Sequence, residues 1–234
     1  MTTTAPTLTH LGLGYWSTAL LAFFVALGPG ATLAQSGVLA VSGATLDSTR
    51  YEGYKGSPYR FDGDREAVAT QTDGARVKVA AVNYNGHTEE FEIVRRDGAR
   101  VALDPVTYRA VDVIEGGDTL AFVRGLRPRE LGKFVRVIYD GADAQLFEAF
   151  TVTDGEVVVQ NVGKTETYRR FAPRPLYYLA LGGSARKLVS LRRKPFVKAL
   201  SGAANAGELS GVWKATNGDD DRRAAAVLEA YRPK

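Results

Sequence analysis

The chain has no cysteine, and this absence excludes several kinds of site. A thiol nucleophile, a thiolate-bound metal, an iron–sulfur cluster, a lipidated cysteine and a disulfide-linked partner all require that residue. A protein exported without disulfides must be held together by its hydrophobic core. About 200 residues are enough to build one such core.

Histidine is also scarce, since only His10 and His87 occur. A zinc site would therefore need carboxylates for most of its ligands, which is atypical. A Ser-His-Asp triad would have to use His87, and the chain contains neither the Gly-x-Ser-x-Gly motif nor a phosphate-binding glycine loop. We expect no metal ion and no cofactor.

Two short motifs have simpler explanations than catalysis or metal binding. Ser184–Lys187 matches Ser-x-x-Lys, but the companion motifs of penicillin-binding enzymes are missing, so we predict a helix that starts at Ser184 and runs to Arg193. Asp219, Asp220 and Asp221 lack the ligand spacing of a calcium loop and are typical of a helix start. We predict no catalytic residue.

The first 34 residues contain no Lys, Arg, Asp or Glu. An apolar run, Tyr15–Leu27, is followed by Gly28-Pro29-Gly30 and by small residues up to Ala34. This pattern predicts a signal peptide over residues 1–34, although no basic residue precedes the apolar run. A retained anchor is the alternative, but a membrane span needs about 20 apolar residues. We expect a periplasmic, envelope-associated or extracellular protein with no transmembrane span in the mature chain.

The remaining sequence predicts a mainly β fold. Residues 35–50 are small and polar and indicate a linker. Residues 51–181 contain short apolar-polar runs separated by Asp-Gly and Asn-Gly turns, which leave no room for crossover helices. We predict an antiparallel meander or partial barrel of about eight to ten strands. Residues 182–234 predict three to four short helices packed on the sheet, among them Pro195–Leu200, Glu208–Ala215 and Asp219–Tyr231.

Two local predictions concern turns. In the hairpin Arg76–Arg96, a three-residue loop, Asn85-Gly86-His87, would pair Val79 with Ile93 and Ala81 with Phe91, so that their side chains share a face. Asp154-Gly155 indicates a second turn, between a strand Ala144–Val152 and a strand Glu156–Asn161.

Two groups of side chains are candidate binding surfaces. An aromatic surface would suit a sugar, although aromatic residues at this density also fill cores; it comprises Tyr51, Tyr54, Tyr59 and Phe61. A basic surface would suit an anionic polymer or lipid headgroups, although it is also typical of a solvated helix face; it comprises Arg186, Lys187, Arg192, Arg193, Lys194 and Lys198. The net charge of +4 is mild.

Several segments together resemble a known group. They are Gly56-Ser57-Pro58-Tyr59, Val82-Asn83-Tyr84-Asn85 and Leu176-Tyr177-Tyr178-Leu179, followed by a basic segment and a terminal helix near Tyr231. This order resembles uncharacterised exported proteins of Bacteroidetes-type bacteria, over roughly Tyr51 to Tyr231. The resemblance implies export and architecture, and it brings no catalytic residues.

These features favour an exported, non-catalytic binding or scaffold protein of the cell envelope or extracellular space. Its expected partner is an envelope component or an anionic polymer or lipid surface, and we do not expect it to bind nucleic acid. A small-ligand or lipid carrier is the alternative if the sheet encloses a cavity. A carboxylate-dependent hydrolase is a further alternative, because sequence alone does not pair carboxylates across a cleft.

Overall fold

The computed structural model describes residues 41–42, 45–125 and 133–234. The predicted signal peptide, residues 1–34, lies outside the described residues, and so do positions 35–40 and 43–44 of the predicted linker. In the described part, no helix is both long enough and apolar enough to span a membrane.

This part of the chain forms twelve strands and three helices. The strands are β1 (Val41–Ser42), β2 (Tyr54–Lys55), β3 (Arg65–Gln71), β4 (Arg76–Asn85), β5 (Glu90–Val94), β6 (Arg100–Leu103), β7 (Tyr108–Glu115), β8 (Asp118–Arg124), β9 (Phe134–Asp140), β10 (Ala144–Asn161), β11 (Lys164–Leu181) and β12 (Ser184–Leu188). The helices are α1 (Arg193–Ala199), α2 (Ala206–Ala215) and α3 (Asp220–Glu229).

The strands form one open sheet in the order β1-β6-β5-β4-β3-β7-β8-β9-β10-β11-β12. Strands β3 to β6 form one meander, the chain returns to place β7 beside β3, and β7 to β12 continue in the other direction. Strand β2 pairs in parallel with β11, and the other described pairs are antiparallel. The predicted antiparallel sheet followed by C-terminal helices is confirmed.

Strand β4 contains a bulge that changes which of its residues face the core. Val77 and Val79 are buried, and so are Val82 and Tyr84, so the alternation skips one position. Across from β4, Ala67 pairs with Val79 and Arg65 pairs with Val82, so β4 has one residue more than β3 in this interval. The extra residue forms a bulge at Ala80-Ala81, which turns Val82 and Tyr84 toward the same core as Val77 and Val79.

The bulge makes the predicted hairpin register wrong. Val82 pairs with Ile93 and Tyr84 pairs with Phe91, and four residues, 86–89, connect the two strands. Glu89, within this connection, takes the left-handed conformation, with φ of 59°. The prediction failed because it assumed one unbroken alternation along β4.

The predicted turn at Asp154-Gly155 is also wrong, because both residues lie inside β10. Strands β10 and β11 have 18 residues each and pair from Ala144 with Leu181 to Asn161 with Lys164. Asp154 pairs with Phe171 in this ladder, and its carboxylate accepts a hydrogen bond from Arg169. Continuous cross-strand pairing therefore overrides the local turn preference of Asp-Gly.

The helix predicted from Ser184 to Arg193 is wrong, since only its last residue, Arg193, lies in a helix. Residues Ser184–Leu188 form β12, which pairs with the end of β11. Gly182 and Gly183 both have positive φ, 55° and 83°, as a two-residue hairpin turn requires. This turn directs the chain back along β11, so Ser184 begins a strand and does not cap a helix.

The later helices lie close to their predicted positions. Asp219 caps α3, since its carboxylate accepts a hydrogen bond from the backbone N–H of Arg222 at 2.9 Å. The three helices pack on β9 to β12 around a buried cluster that includes Leu146, Leu179, Leu188, Phe196, Leu209, Trp213 and Val227.

The first part of the sheet curls and fills its own interior. The ring of Phe91 on β5 lies 5.2 Å from that of Phe134 on β9, although four strands separate β5 from β9 in the sheet. Phe122 packs against Phe91 at 5.1 Å, and the hydroxyl of Tyr84 donates to the backbone oxygen of Phe134. The sheet is therefore a partial barrel, and aromatic rings occupy its inside.

A buried carboxylate joins the sheet to the helices. Glu148 on β10 accepts hydrogen bonds from Arg60 Nη1 at 3.0 Å and from Arg136 Nε at 2.6 Å. Arg136 also donates to Asp221 on α3. Burial by itself would raise the pKa of Glu148, but the charges and hydrogen bonds of Arg60 and Arg136 outweigh it and lower the pKa.

We predict that Glu148→Gln lowers the free energy of unfolding by about 3 kcal/mol, because it removes the anion of Arg60 and one of the two anions of Arg136. Because folding lowers the pKa of Glu148, its carboxylate stabilises the fold above the ordinary value of 4.5. That stabilisation is lost as the pH falls through the lower folded value. Urea unfolding across this pH range should therefore show a smaller acid-induced loss in the variant than in the wild type.

The control is Glu115→Gln. Glu115 is a half-exposed acid, 3.6 Å from Arg65. Its substitution should change stability by less than about 0.5 kcal/mol. Equal losses in the two variants would contradict a special role for Glu148.

Candidate functional site

A pocket lies between residues 45–59 and the turn that connects β5 to β6. Its volume is about 1000 Å³. Hydroxyls, tyrosine rings and guanidinium groups line it, including those of Thr45, Ser48, Thr49, Arg50, Tyr51, Ser57, Tyr59 and Arg100. The volume is within the usual range of small-molecule sites, about 300–1,000 Å³, and the pocket is widely open to solvent.

Beneath this pocket lies Glu92, a fully buried carboxylate on β5. Arg50 Nη2 donates to both of its oxygens at 2.6 Å. The hydroxyl of Tyr59 donates to it at 2.8 Å, and Asn85 Nδ2 donates at 2.7 Å. A buried charge is tolerated only when it is paired and hydrogen-bonded, so these four side chains form one unit.

Backbone pairing brings the residues of this unit together. The N–H of Gly86 donates to the oxygen of Pro58 at 2.8 Å, and the N–H of Arg60 donates to the oxygen of Tyr84 at 2.9 Å. Tyr59 thereby forms a bridge with Asn85. The segments Gly56–Tyr59 and Val82–Asn85, which carry the sequence resemblance, therefore lie side by side.

The surroundings shift the pKa values of two members of the unit, Arg50 and Tyr59. Burial tends to lower the pKa of Arg50, but Tyr59 and Glu92 reverse this tendency and raise the pKa. Burial, reinforced by the negative charge of Glu92, raises the pKa of Tyr59. At neutral pH, Arg50 is thus a cation paired with Glu92, and Tyr59 is a neutral hydrogen-bond donor.

Arg100 contributes a second guanidinium to the pocket wall. Its Nη2 donates to the two carboxylate oxygens of Asp64 at 3.0 and 2.9 Å. Its guanidinium lies 5.3 Å from the ring centre of Tyr59, and its Nη1 is buried with no hydrogen-bond partner in the described part of the chain. A buried donor without a partner is costly, and because this atom is closed to solvent it is also closed to a ligand in the pocket.

The predicted aromatic surface does not form as one surface. Tyr51 and Tyr59 line the pocket. Tyr54 stacks on Phe171 with ring centres 4.6 Å apart, and Phe61 is buried in the core of the curled sheet.

The predicted basic residues lie near one end of the sheet but face different ways. Arg186 on β12 donates to the backbone oxygen of Ala199, where α1 ends. Lys187 is the next residue of the strand and points to the opposite face. Lys194 and Lys198 are exposed and one turn apart on α1, where Arg193 is half-buried and is preceded by the exposed Arg192.

The other sequence candidates form no catalytic arrangement in the described residues. His87 packs against Tyr51 and Phe171, at 6.1 and 5.5 Å between ring centres, and its Nδ1 lies 3.9 Å from Asp154. Ser184 is exposed at the start of β12. Within the described ranges, no cluster of three or more His, Asp or Glu is placed to hold a metal ion.

Sequence reasoning named Tyr51 and Tyr59 of the pocket wall but missed Arg50 and Arg100. Arg50 falls in the predicted linker, and Asn85 was assigned only a role in the turn. Glu92 lies between the apolar Phe91 and Ile93 of a short strand, where alternation would place an acid on the solvent face. No local signal therefore indicated that it is buried.

We predict that Glu92→Gln destabilises the protein by about 3 kcal/mol, since it leaves Arg50 without its anion. Tyr59→Phe removes one of the donors to Glu92 and should cost about 1 kcal/mol. Glu66→Gln, at an exposed position of β3, is the control and should change stability by less than about 0.5 kcal/mol. Chemical denaturation measures all three variants, and the opposite ranking would show that the unit does not act as described.

Comparisons with known proteins return no match for this chain. No protein-family model matches it. No curated protein and no solved structure matches it either. The geometry of the pocket is therefore the basis on which a function is proposed.

Proposed function

We propose that this chain is an exported, non-catalytic binding protein of the cell envelope or extracellular space. The observation that carries the proposal is the pocket of about 1000 Å³ above the Glu92 unit. Arg50 and Tyr59 contribute to the pocket wall and are fixed to Glu92 from below. Walls that are ordered before the ligand arrives reduce the entropic cost of binding.

The polar groups of the pocket favour an uncharged, oxygen-rich ligand. Arg50 is neutralised by Glu92 and Arg100 by Asp64, so neither guanidinium demands a further anion. The hydroxyls of the wall suit hydroxyl and ether oxygens, and the tyrosine rings suit the apolar face of a sugar. We propose saccharide units of an envelope glycan as the ligand.

The two alternative functions receive less support. A carrier would need space inside the curled sheet, where the rings of Phe91, Phe122 and Phe134 pack together. A hydrolase would need available carboxylates facing each other across a cleft. Glu92 and Glu148, the two buried acids of the described part, are instead committed to arginine partners.

The binding proposal is tested by filling the pocket. Ser48→Trp places an indole on an exposed residue of the wall, and Ser201→Trp places the same side chain on an exposed residue of the helical part. With soluble bacterial cell-wall glycan fragments, isothermal titration calorimetry should show binding by the wild type and by Ser201→Trp. Ser48→Trp should bind at least about tenfold more weakly, which is a loss of about 1.4 kcal/mol.

Equal thermal midpoints would show that both tryptophan variants are folded. If the wild type gives no binding heat, or if Ser48→Trp binds like Ser201→Trp, the proposed pocket function fails.

The export proposal, together with the resemblance to exported proteins of Bacteroidetes-type bacteria, makes a separate prediction. After fractionation of the producing bacterium, the protein should be found outside the cytoplasm. Mass spectrometry of its N-terminus should place the start of the mature chain at Gln35, because small residues precede that position. Cytoplasmic protein that retains Met1 would contradict export.

A further inference from the structure

The outer half of the β10–β11 hairpin is a two-stranded ribbon, formed by Glu156–Asn161 and Lys164–Arg169. The pairing of β9 with β10 ends at Glu148, and the pairing of β2 with β11 involves only Arg169 and Arg170. In the described part of the chain, most of the ribbon therefore has unpaired edges on both sides. It is about 20 Å long, at about 3.4 Å per residue. A ribbon of two strands is only marginally stable by itself in water.

The two edges of the ribbon differ in how they are protected. Along β11 lie Pro173 and Pro175, just below the ribbon, and the cations Lys164, Arg169 and Arg170. Prolines and cations are devices that keep an edge strand from pairing.

The β10 edge lacks these devices between Thr153 and Asn161. It contains no proline, lysine or arginine, and its centre is Val157-Val158-Val159. Val158 is 54% exposed although it is apolar, and Val162 at the tip is fully exposed. Among residues 45–125 and 133–234, no strand pairs with this stretch of the edge, which can therefore accept an additional strand.

We propose that two copies of this chain pair edge to edge through β10, antiparallel, with Val158 opposite the partner subunit's Val158. In this register, Val157 lies opposite the partner's Val159, and Glu156 lies opposite the partner's Gln160. Asp154 lies opposite the partner's Val162, so no two acids face each other. The segment is thus its own complement in shape and charge, as a twofold interface requires.

The proposed register also keeps the two faces of the ribbon continuous. Val157 and Val159 project from one face and Val158 from the other, because side chains alternate along a strand. Pairing about a twofold axis normal to the sheet places valine against valine on both faces. The two ribbons then form a four-stranded sheet, which satisfies the open backbone groups of both β10 edges.

The absence of cysteine makes a direct test possible, because Val158→Cys introduces a single thiol. In the dimer, the two thiols would lie directly opposite each other, with Cβ atoms about 4.5–5.5 Å apart. Mild oxidation of the full-length chain should therefore produce a disulfide-linked dimer on a non-reducing gel.

Val162→Cys is the matched control. Its position is more exposed than that of Val158, so random collisions would link it at least as fast. In the proposed register, however, its two copies are about 27 Å apart, from eight residues at about 3.4 Å each. Linking of Val158→Cys at least tenfold faster than Val162→Cys supports the proposal, and equal or reversed rates overturn it.

A second variant tests the interface without oxidation. Val158→Lys would place like charges opposite each other and should raise the dimer dissociation constant at least tenfold in sedimentation equilibrium. Val106→Lys, at a site 73% exposed outside the ribbon, should leave the constant unchanged.

A wild-type chain that stays monomeric up to its solubility limit overturns the proposal. A dimer that is indifferent to Val158→Lys also overturns it, because it must use another surface. Neither result bears on ligand binding, since Val158 is not part of the pocket.

Discussion

Burial of two carboxylates is the constraint on which the arrangement of the other parts depends. Glu92 and Glu148 lie in a sheet whose inner surfaces are otherwise mainly apolar. Each needs cationic partners, because an unpaired buried charge costs several kcal/mol. Arg50 and Arg60 meet this need from a single segment, which is held at one end by Glu92 and at the other by Glu148. Gly53 and Gly56, both with positive φ, let the chain turn between these two points.

The same ion pairs connect the sheet to its surroundings. Through Arg136, Glu148 is linked to Asp221 and so to the first turn of α3. Through Arg50 and Tyr59, Glu92 holds the segment that forms one wall of the pocket. The pocket is therefore at the periphery of the sheet, while the interior of the curl is filled by aromatic side chains. The Glu92 unit connects the wall of the pocket to the sheet.

The β10–β11 hairpin has two halves with different surroundings. Its inner half carries Leu146, Glu148 and Leu179, which are buried against the helices and the arginines. Its outer half is exposed and has few contacts to stabilise it. Its two edges differ, with proline and cations along β11 and exposed valines along β10, and this difference is the basis of the proposed pairing through β10.

Local patterns in the sequence predicted the elements better than they predicted the pairing between them. The alternation of Val77 and Val79 was visible, but the bulge at Ala80-Ala81 depends on the register with β3, and it shifted the hairpin. Asp154-Gly155 has the composition of a turn, yet pairing along β11 keeps it in a strand. Ser184–Leu188 has helical composition, yet the Gly182-Gly183 turn returns it to the sheet.

By itself, the sequence determined a mainly β chain with short turns, a cysteine-free core and C-terminal helices. These properties follow from backbone preferences and burial patterns that act within a few residues. Only the tertiary structure decided the site, because Arg50 and Glu92 are 42 positions apart and meet only when the sheet assembles. The burial that makes their pairing necessary does not exist until then, so no local pattern records it.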